Sequence, residues 1–299
     1  SGDEGISWKG YLPADCQFVS ANQGYKQFST LVSSEATKLV KAGSRVLRAT
    51  DIDDNTITGV ANITVNVASP EKLRVRLPGN SDKPGTEVGL GGAPAVQTAG
   101  VSFVVSADAT DRYWNIVPST STNVQLTTTD QYATSLPQTK QLIGGDGLPK
   151  GTTIYNVVLV TRGNQTLTAT DAGSTNWTAY TTPSPVYVST AAANKLLVLA
   201  PNQTPVWGKP PYDLPNYEGG RSTTTTQVQT AGVSFTITVY ACDYYWNRRD
   251  DSVTTVRVIT TDPYDIHPAT KTLSMGSTTF AITMITAATQ YIEAGVFSG

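Results

Sequence analysis

The chain offers few residues that could carry out a reaction. Its one histidine, His267, lies in the stretch Pro263-Tyr264-Asp265-Ile266-His267-Pro268. A Ser/His/Asp or Cys/His site would have to be built on that imidazole. The flanking prolines and aspartates mark a loop instead. Paired carboxylates hydrolyse glycosides when they flank a sugar bond. The candidates are Asp108 with Asp111, and Asp243 with Asp250 and Asp251. Both sets stand at the same place in two copies of a repeat, beside Trp114 and Trp246. A feature copied in each unit serves the fold. No glycine-rich phosphate loop opens a helix, and no Cys/His spacing suits zinc. The expectation is a protein that is not an enzyme and requires no cofactor.

Four binding features remain. Asp51, Asp53 and Asp54, followed by Asn55, form an acidic turn. Oxygen-rich turns at module boundaries bind calcium and stiffen rods, although the spacing here is not that of an EF-hand. A solvated Asx turn is the competing reading. Cys16 and Cys242 are too few and too far apart for a disulfide framework. They are free thiols, or a bridge between modules or subunits. Trp207, Pro210, Pro211, Tyr212 and Tyr217 cluster in WGKPPYDLPNY, a rigid segment suited to contact with a neighbour or a glycan. Asn62, Asn164, Asn176 and Asn202 open Asn-x-Ser/Thr sequons, which become glycosylated only in a host with that machinery.

These residues need a scaffold, and the composition says which kind. Of 299 residues, 39% are hydrophobic and only 15% charged, against about 25% charged in an average domain. Thr, Ser, Val, Gly, Asn and Gln fill the difference. β-Branched residues suit pleated sheets, and the 25 Gly and 17 Pro punctuate turns along the whole length. Residues 33–41 are the one stretch that reads as a short helical turn or polar loop. With 21 basic and 23 acidic residues, the net charge of −2 gives no footprint for nucleic acid. No segment reaches the roughly 20 apolar residues of a membrane-spanning helix. The polar start lacks the pattern of a signal peptide, which reads as a mature or excerpted chain.

The strongest signal is internal repetition. QTAGVSF occurs at 97–103 and again at 229–235. Tyr113-Trp114-Asn115 then matches Tyr245-Trp246-Asn247, and Thr128-Thr129-Asp130 matches Thr260-Thr261-Asp262. A third, partial copy opens the chain, where AGSRVLRATD at 42–51 matches RGNQTLTATD at 162–171. Period-two alternation marks strands at 59–67, 101–107, 124–128, 155–160, 233–241, 253–259 and 280–285. Short strands separated by Asp, Asn, Gly and Pro over about 110 residues predict a β-sandwich.

The motif order is TAG-VSF, Asp-x-Tyr-Trp-Asn, TTD and a closing strand ending in Ala-x-Asp. It resembles the bacterial immunoglobulin-like repeats of invasin-type and other large surface proteins. Leu12-Pro13-Ala14-Asp15, Phe18, Gly24, Phe28, Ala42-Gly43 and Ala49-Thr50-Asp51 follow the same pattern. The resemblance implies an all-β chain of tandem immunoglobulin-like β-sandwich modules, extracellular or at the cell surface. The expected division is 1–70, a partial module without its first strands; 71–192, a complete one; and 193–299, one without its last strand. Residues 201–228 form an insertion with a shorter glycine-rich counterpart at 78–96.

A sandwich short of a strand exposes an edge. Either a longer chain or a neighbouring subunit is expected to fill it, strand donation being a known route to filaments. The function expected is a structural array: a filament, surface layer or adhesin stalk, partnered by copies of itself or by adjoining modules. The alternatives are a carbohydrate-binding or adhesive module using aromatic loops, and an accessory region of a giant secreted enzyme.

Overall fold

Alternating β-branched runs become the strands of an all-β chain of tandem immunoglobulin-like β-sandwich modules. The computed structural model describes residues 10–28, 37–145, 147–173, 175–213, 215 and 218–297. Within them the only helical element is a 3-10 turn at Ser20–Asn22. Of the stretch 33–41, residues 33–36 lie outside the described residues. Lys38, within it, exchanges backbone hydrogen bonds with Tyr11.

In the second module, Phe103–Thr110 is the central strand of one sheet, between Lys72–Arg76 and Thr152–Val157. The facing sheet centres on Asn123–Thr128, between Leu167–Asp171 and Gln138–Gln141. Period two sends Phe103, Val105, Ala107 and Ala109 inward against Val124, Leu126, Leu167 and Ala169. The third module repeats this plan. Ser234–Cys242 lies between Lys195–Leu199 and Ser277–Thr283, and Thr255–Thr260 pairs with Ile292–Val296. Its core holds Ile237, Val239, Val256, Val258, Phe280 and Ile282. The observed strands match the expected ones to within a few residues at each end.

The first module contributes one hairpin, Gly43–Thr50 with Thr58–Val65. Its Gly43↔Val65 pairing corresponds to Gly163↔Val188 in the second module. Val46 and Val60 stay exposed on it. A two-stranded ribbon is marginal alone in water, so its tether to the second module matters.

The two fuller modules differ at one place in their interiors. Arg74 and Asp108 are both fully buried and 2.8 Å apart. Arg76 reaches Asp108 at 2.8 Å, Arg74 reaches Asp82 at 2.7 Å, and the Thr152 hydroxyl donates to Asp108 at 2.9 Å. Strand register places Leu197, Leu199, Tyr240 and Ser277 at the equivalent points of the third module. There Leu197, Leu199, Cys242 and Trp246 form an apolar cluster with Trp207, Tyr212 and Tyr240. One position is therefore filled by an ion cluster in one module and by hydrocarbon in the other. Breaking a buried ion pair by removing one partner costs about 3–5 kcal/mol, whereas replacing the whole group with apolar residues is near neutral. Asp108→Ala should lose about that much in urea unfolding, and combined Arg74→Leu, Arg76→Leu and Asp108→Tyr should lose less.

Candidate functional site

The repeated Asp-x-Tyr-Trp-Asn segment folds into the same tight turn twice. Asp111 Oδ1 accepts the backbone N–H groups of Tyr113 at 2.8 Å and Asn115 at 2.9 Å. Asp243 Oδ1 does the same for Tyr245 and Asn247, both at 2.9 Å. Aspartate favours such local bonds to backbone. The turn forces Trp114 to φ 68° and Trp246 to φ 66°. For an L residue that region costs roughly 1–2 kcal/mol.

Packing offsets the cost. The Trp114 Nε1–H donates to the Glu87 carbonyl at 3.0 Å, and the Trp246 Nε1–H to the Pro211 carbonyl at 2.7 Å. Trp246 is wholly buried. Lys72 Nζ sits 3.5 Å from the Trp114 ring centre and Lys195 Nζ 3.7 Å from that of Trp246, close enough for cation–π attraction. Lys195 also donates to the Tyr212 carbonyl. Burial pulls the Lys195 ammonium down to about 8, opposed by the Cys242, Asp243 and Asp213 side chains.

The turn's business lies across the joint. Asn115 Nδ2 donates to the Val40 carbonyl at 2.8 Å, and its Oδ1 accepts the Ala42 N–H at 2.8 Å. Asp111 Oδ2 accepts the Ala68 N–H at 3.1 Å. At the next joint Asn247 Nδ2 donates to the Val160 carbonyl at 2.7 Å, and its Oδ1 accepts the Arg162 N–H at 2.9 Å. Asp243 Oδ2 accepts the Ala191 N–H at 3.1 Å. Each turn thus clasps two strand ends of the module before it. The second clasp adds an ion pair between Arg162 and Asp250 at 2.6 Å. Tyr245 completes it by packing against the second module's core. A Cβ on Gly100, in the TAG motif, would overlap the Tyr245 ring.

The segment clasped at the second joint is ordered by the TTD motif of its own module, and the same motif recurs in the third. Asp130 accepts the Val160 and Thr161 N–H groups at 2.6 and 2.9 Å and the Thr161 hydroxyl at 2.6 Å. Asp262 does the same for Ile285, Thr286 and the Thr286 hydroxyl at 2.7, 2.8 and 2.8 Å. These donors, the Thr286 N–H foremost, pull the Asp262 carboxyl down to about 2.

The residues singled out in the sequence fall as follows. Asp108, Asp111 and Asp243 are buried and committed to ion pairs or turn amides, and Asp250 and Asp251 pair with arginines. His267 braces its loop, with Nδ1 2.6 Å from Asp265 and Nε2 3.0 Å from the Val258 carbonyl. Asp51 accepts the Asp53 and Asp54 N–H groups, and Asp54 accepts from Thr56. Among the described residues no cluster of three His, Cys, Asp or Glu side chains is placed to hold a metal ion. Cys16 is exposed, Cys242 buried, and both are free thiols; burial pushes the Cys242 thiol far above its ordinary range. Asn62, Asn164, Asn176 and Asn202 are all exposed.

The aromatic loop packs partly onto its own module, with Trp207 and Tyr212 half-buried. Trp207 stands edge-on to Tyr240, and Tyr212 packs on Tyr244 and Tyr245. The reason is the buried Trp246 indole, whose N–H needs the Pro211 carbonyl. Pro210 is exposed, and Tyr217 lies outside the described residues. The shorter loop at 78–96 serves Trp114 in the same way. Lys72 and Lys195 were not anticipated, although Lys72-Leu73 and Lys195-Leu196 begin matching strands and could have drawn notice.

No family model matches the chain, and no curated protein matches it. Several solved structures resemble it. The Escherichia coli adhesin FdeC is 16% identical over 85% of this chain and 69% of that one, with a TM-score of 0.31. The D0-D1 domain of intimin is 14% identical over 67% and 86%, with a TM-score of 0.24. Beta-glucuronidase 3 of Bacteroides uniformis is 12% identical over 75% of this chain, with a TM-score of 0.23. The chain spans only 23% of that enzyme's length. Likenesses of this depth carry no functional argument.

One measurement tests the joint and another the aspartate of the TTD motif. Gly100 and Gly232 share φ 78°, but only Gly100 faces a ring. Gly100→Ala and Gly232→Ala therefore bear the same backbone cost, and the first should lose about 1–3 kcal/mol more through overpacking, read by chemical denaturation. The Asp262 carboxyl titrates at about 2 when folded and at about 3.9 when unfolded. Its contribution is full above the unfolded value and is lost as pH falls through the folded one. The melting temperature of Asp262→Asn should accordingly fall less across that window than that of the unaltered chain.

Proposed function

We propose that this chain is a non-enzymatic structural protein of the cell surface or extracellular space, a stiff spacer built from modules at 1–70, 71–192 and 193–299. The observation that carries the reading is the clasp, made twice by the same residue types with corresponding distances agreeing within a few tenths of an ångström. Contacts between domains are by default mobile. Here the side chains that close each joint, Asp111, Asn115, Asp243 and Asn247, are buried. An unpaired buried polar group costs about 1–3 kcal/mol, so bending a joint open is unfavourable unless water enters. The buried, unshared carboxylates are committed to structure, which favours a spacer over a catalyst. Assembly into a filament, surface layer or adhesin stalk is the larger role that suits such an array. The hairpin carrying exposed Val46 and Val60 is the natural place for strand exchange between subunits.

Small-angle scattering of the full chain tests the stiffness. The unaltered protein should give the profile of one extended body. Asn115→Ala with Asn247→Ala should broaden the distance distribution while the modules keep their far-ultraviolet signature. Superimposable profiles would remove the clasp as the source of rigidity and the spacer reading with it. Electron microscopy at high protein concentration separates a polymer from a monomeric stalk piece.

A further inference from the structure

The end of the third module repeats the surface that the other joints bury. Asp262 orders Ile285 and Thr286 as Asp130 orders Val160 and Thr161. Thr261 bonds Gln290 as Thr129 bonds Gln165. The Gly232 N–H donates to the Met284 carbonyl as the Gly100 N–H donates to that of Leu159. By this correspondence Ile285 and Ala287 stand where Val160 and Arg162 stand, and where Val40 and Ala42 stand at the first joint.

What differs is the cover. Among the described residues neither the Ile285 carbonyl nor the Ala287 N–H has a hydrogen-bond partner. Ile285 is 43% exposed, whereas Val160 is fully buried. The space beside Gly232 is open, whereas Gly100 is filled by Tyr245. A carbonyl, an N–H two residues on and a glycine with room for a ring beside it are the three things that Asn247 and Tyr245 occupy one joint earlier. Ala287 lacks the arginine side chain of position 162, but Ala42 lacks it too and is still clasped. The Ala288 backbone differs from Gly43 and Gly163 in not having positive φ. That torsion lies beyond the two peptide groups an asparagine would grip.

We propose that residues 285–287 with Gly232 form a vacant socket for the Asp-x-Tyr-Trp-Asn turn of a further immunoglobulin-like module. The Asn side chain would bridge the Ile285 carbonyl and the Ala287 N–H, and the Tyr ring would lie on Gly232. A second intact copy of this chain does not fit the role, because its turns at 111–115 and 243–247 are already seated. The inference rests on the modular-array reading.

The test joins residues 1–296 to residues 172–299, splicing at matched points of the closing strand so that an extra turn follows the third module. Amide hydrogen exchange is read by NMR on this protein and on the 299-residue chain. The expected result is at least tenfold slower exchange at Ala287 in the longer protein, reversed when the added copy of Asn247 is changed to Ala. Gly232→Ala, mild in the shorter chain, should become as damaging as Gly100→Ala. A cyclic peptide containing Asp-Tyr-Tyr-Trp-Asn, titrated into the 299-residue chain, gives a second reading that needs no new module to fold. It should shift the Ala287 and Gly232 amide signals. Unchanged Ala287 exchange together with no peptide-induced shift overturns the proposal. The Arg162 amide is the internal reference. If it stays protected while Ala287 does not, the socket fails and the array stands; if it too exchanges freely, the array reading itself fails.

Discussion

Everything in this array depends on a backbone carbonyl and a backbone N–H, two residues apart, that their own module leaves unpaired. A primary amide is the neutral side chain that presents a donor and an acceptor side by side. Asn115 and Asn247 meet that demand, and the neighbouring aspartate sets their orientation. Asp111 Oδ2 lies 2.9 Å from Asn115 Nδ2, and Asp243 Oδ2 lies 3.0 Å from Asn247 Nδ2. An ionised carboxylate only accepts, so the amide nitrogen must face it and the amide oxygen is left for the incoming N–H. The aspartate therefore works twice, building the turn with one oxygen and bridging to the preceding module with the other. Strain at the tryptophan is the accompanying cost, offset by the indole hydrogen bond and the lysine above the ring.

The rest of each module is free to vary behind that constraint. The Arg74–Asp108 cluster and the Leu197–Tyr240 cluster occupy the same layer with opposite chemistry. Both support a tryptophan in the same backbone conformation. An interior that can be charged or apolar without moving the turn shows which part of the repeat is fixed by packing and which by hydrogen-bond geometry.

Much of the fold could be read from the residues. Repetition of QTAGVSF and of Tyr-Trp-Asn set the modules in register, and period-two runs such as 233–241 gave the strands. The turn aspartates were visible but ambiguous, because an aspartate beside an aromatic residue suits a sugar site as well as an Asx turn. The loops at 78–96 and 201–228 were matched by position, but the role they share was hidden for a physical reason. What they share is a carbonyl aimed at an indole, from Glu87 in one and Pro211 in the other, and every residue type has a carbonyl. Lys72 and Lys195 were hidden because a lysine at a strand start ordinarily reaches solvent. Only the three-dimensional arrangement shows the ring beneath each one.

The near identity of the two clasps has a geometric corollary. A contact that joins the tail of one unit to the head of the next, repeated with unchanged distances, applies the same rotation and the same translation each time. Head-to-tail repetition of one such operation builds an open helical array unless the rotation closes into a ring. A surface position fixed within the module, such as the one held by Asn164 in the second module, Ser44 in the first and Thr289 in the third, would recur along a longer array at a set pitch and azimuth. The periodicity of whatever such a surface displays would be set by the clasp at each joint.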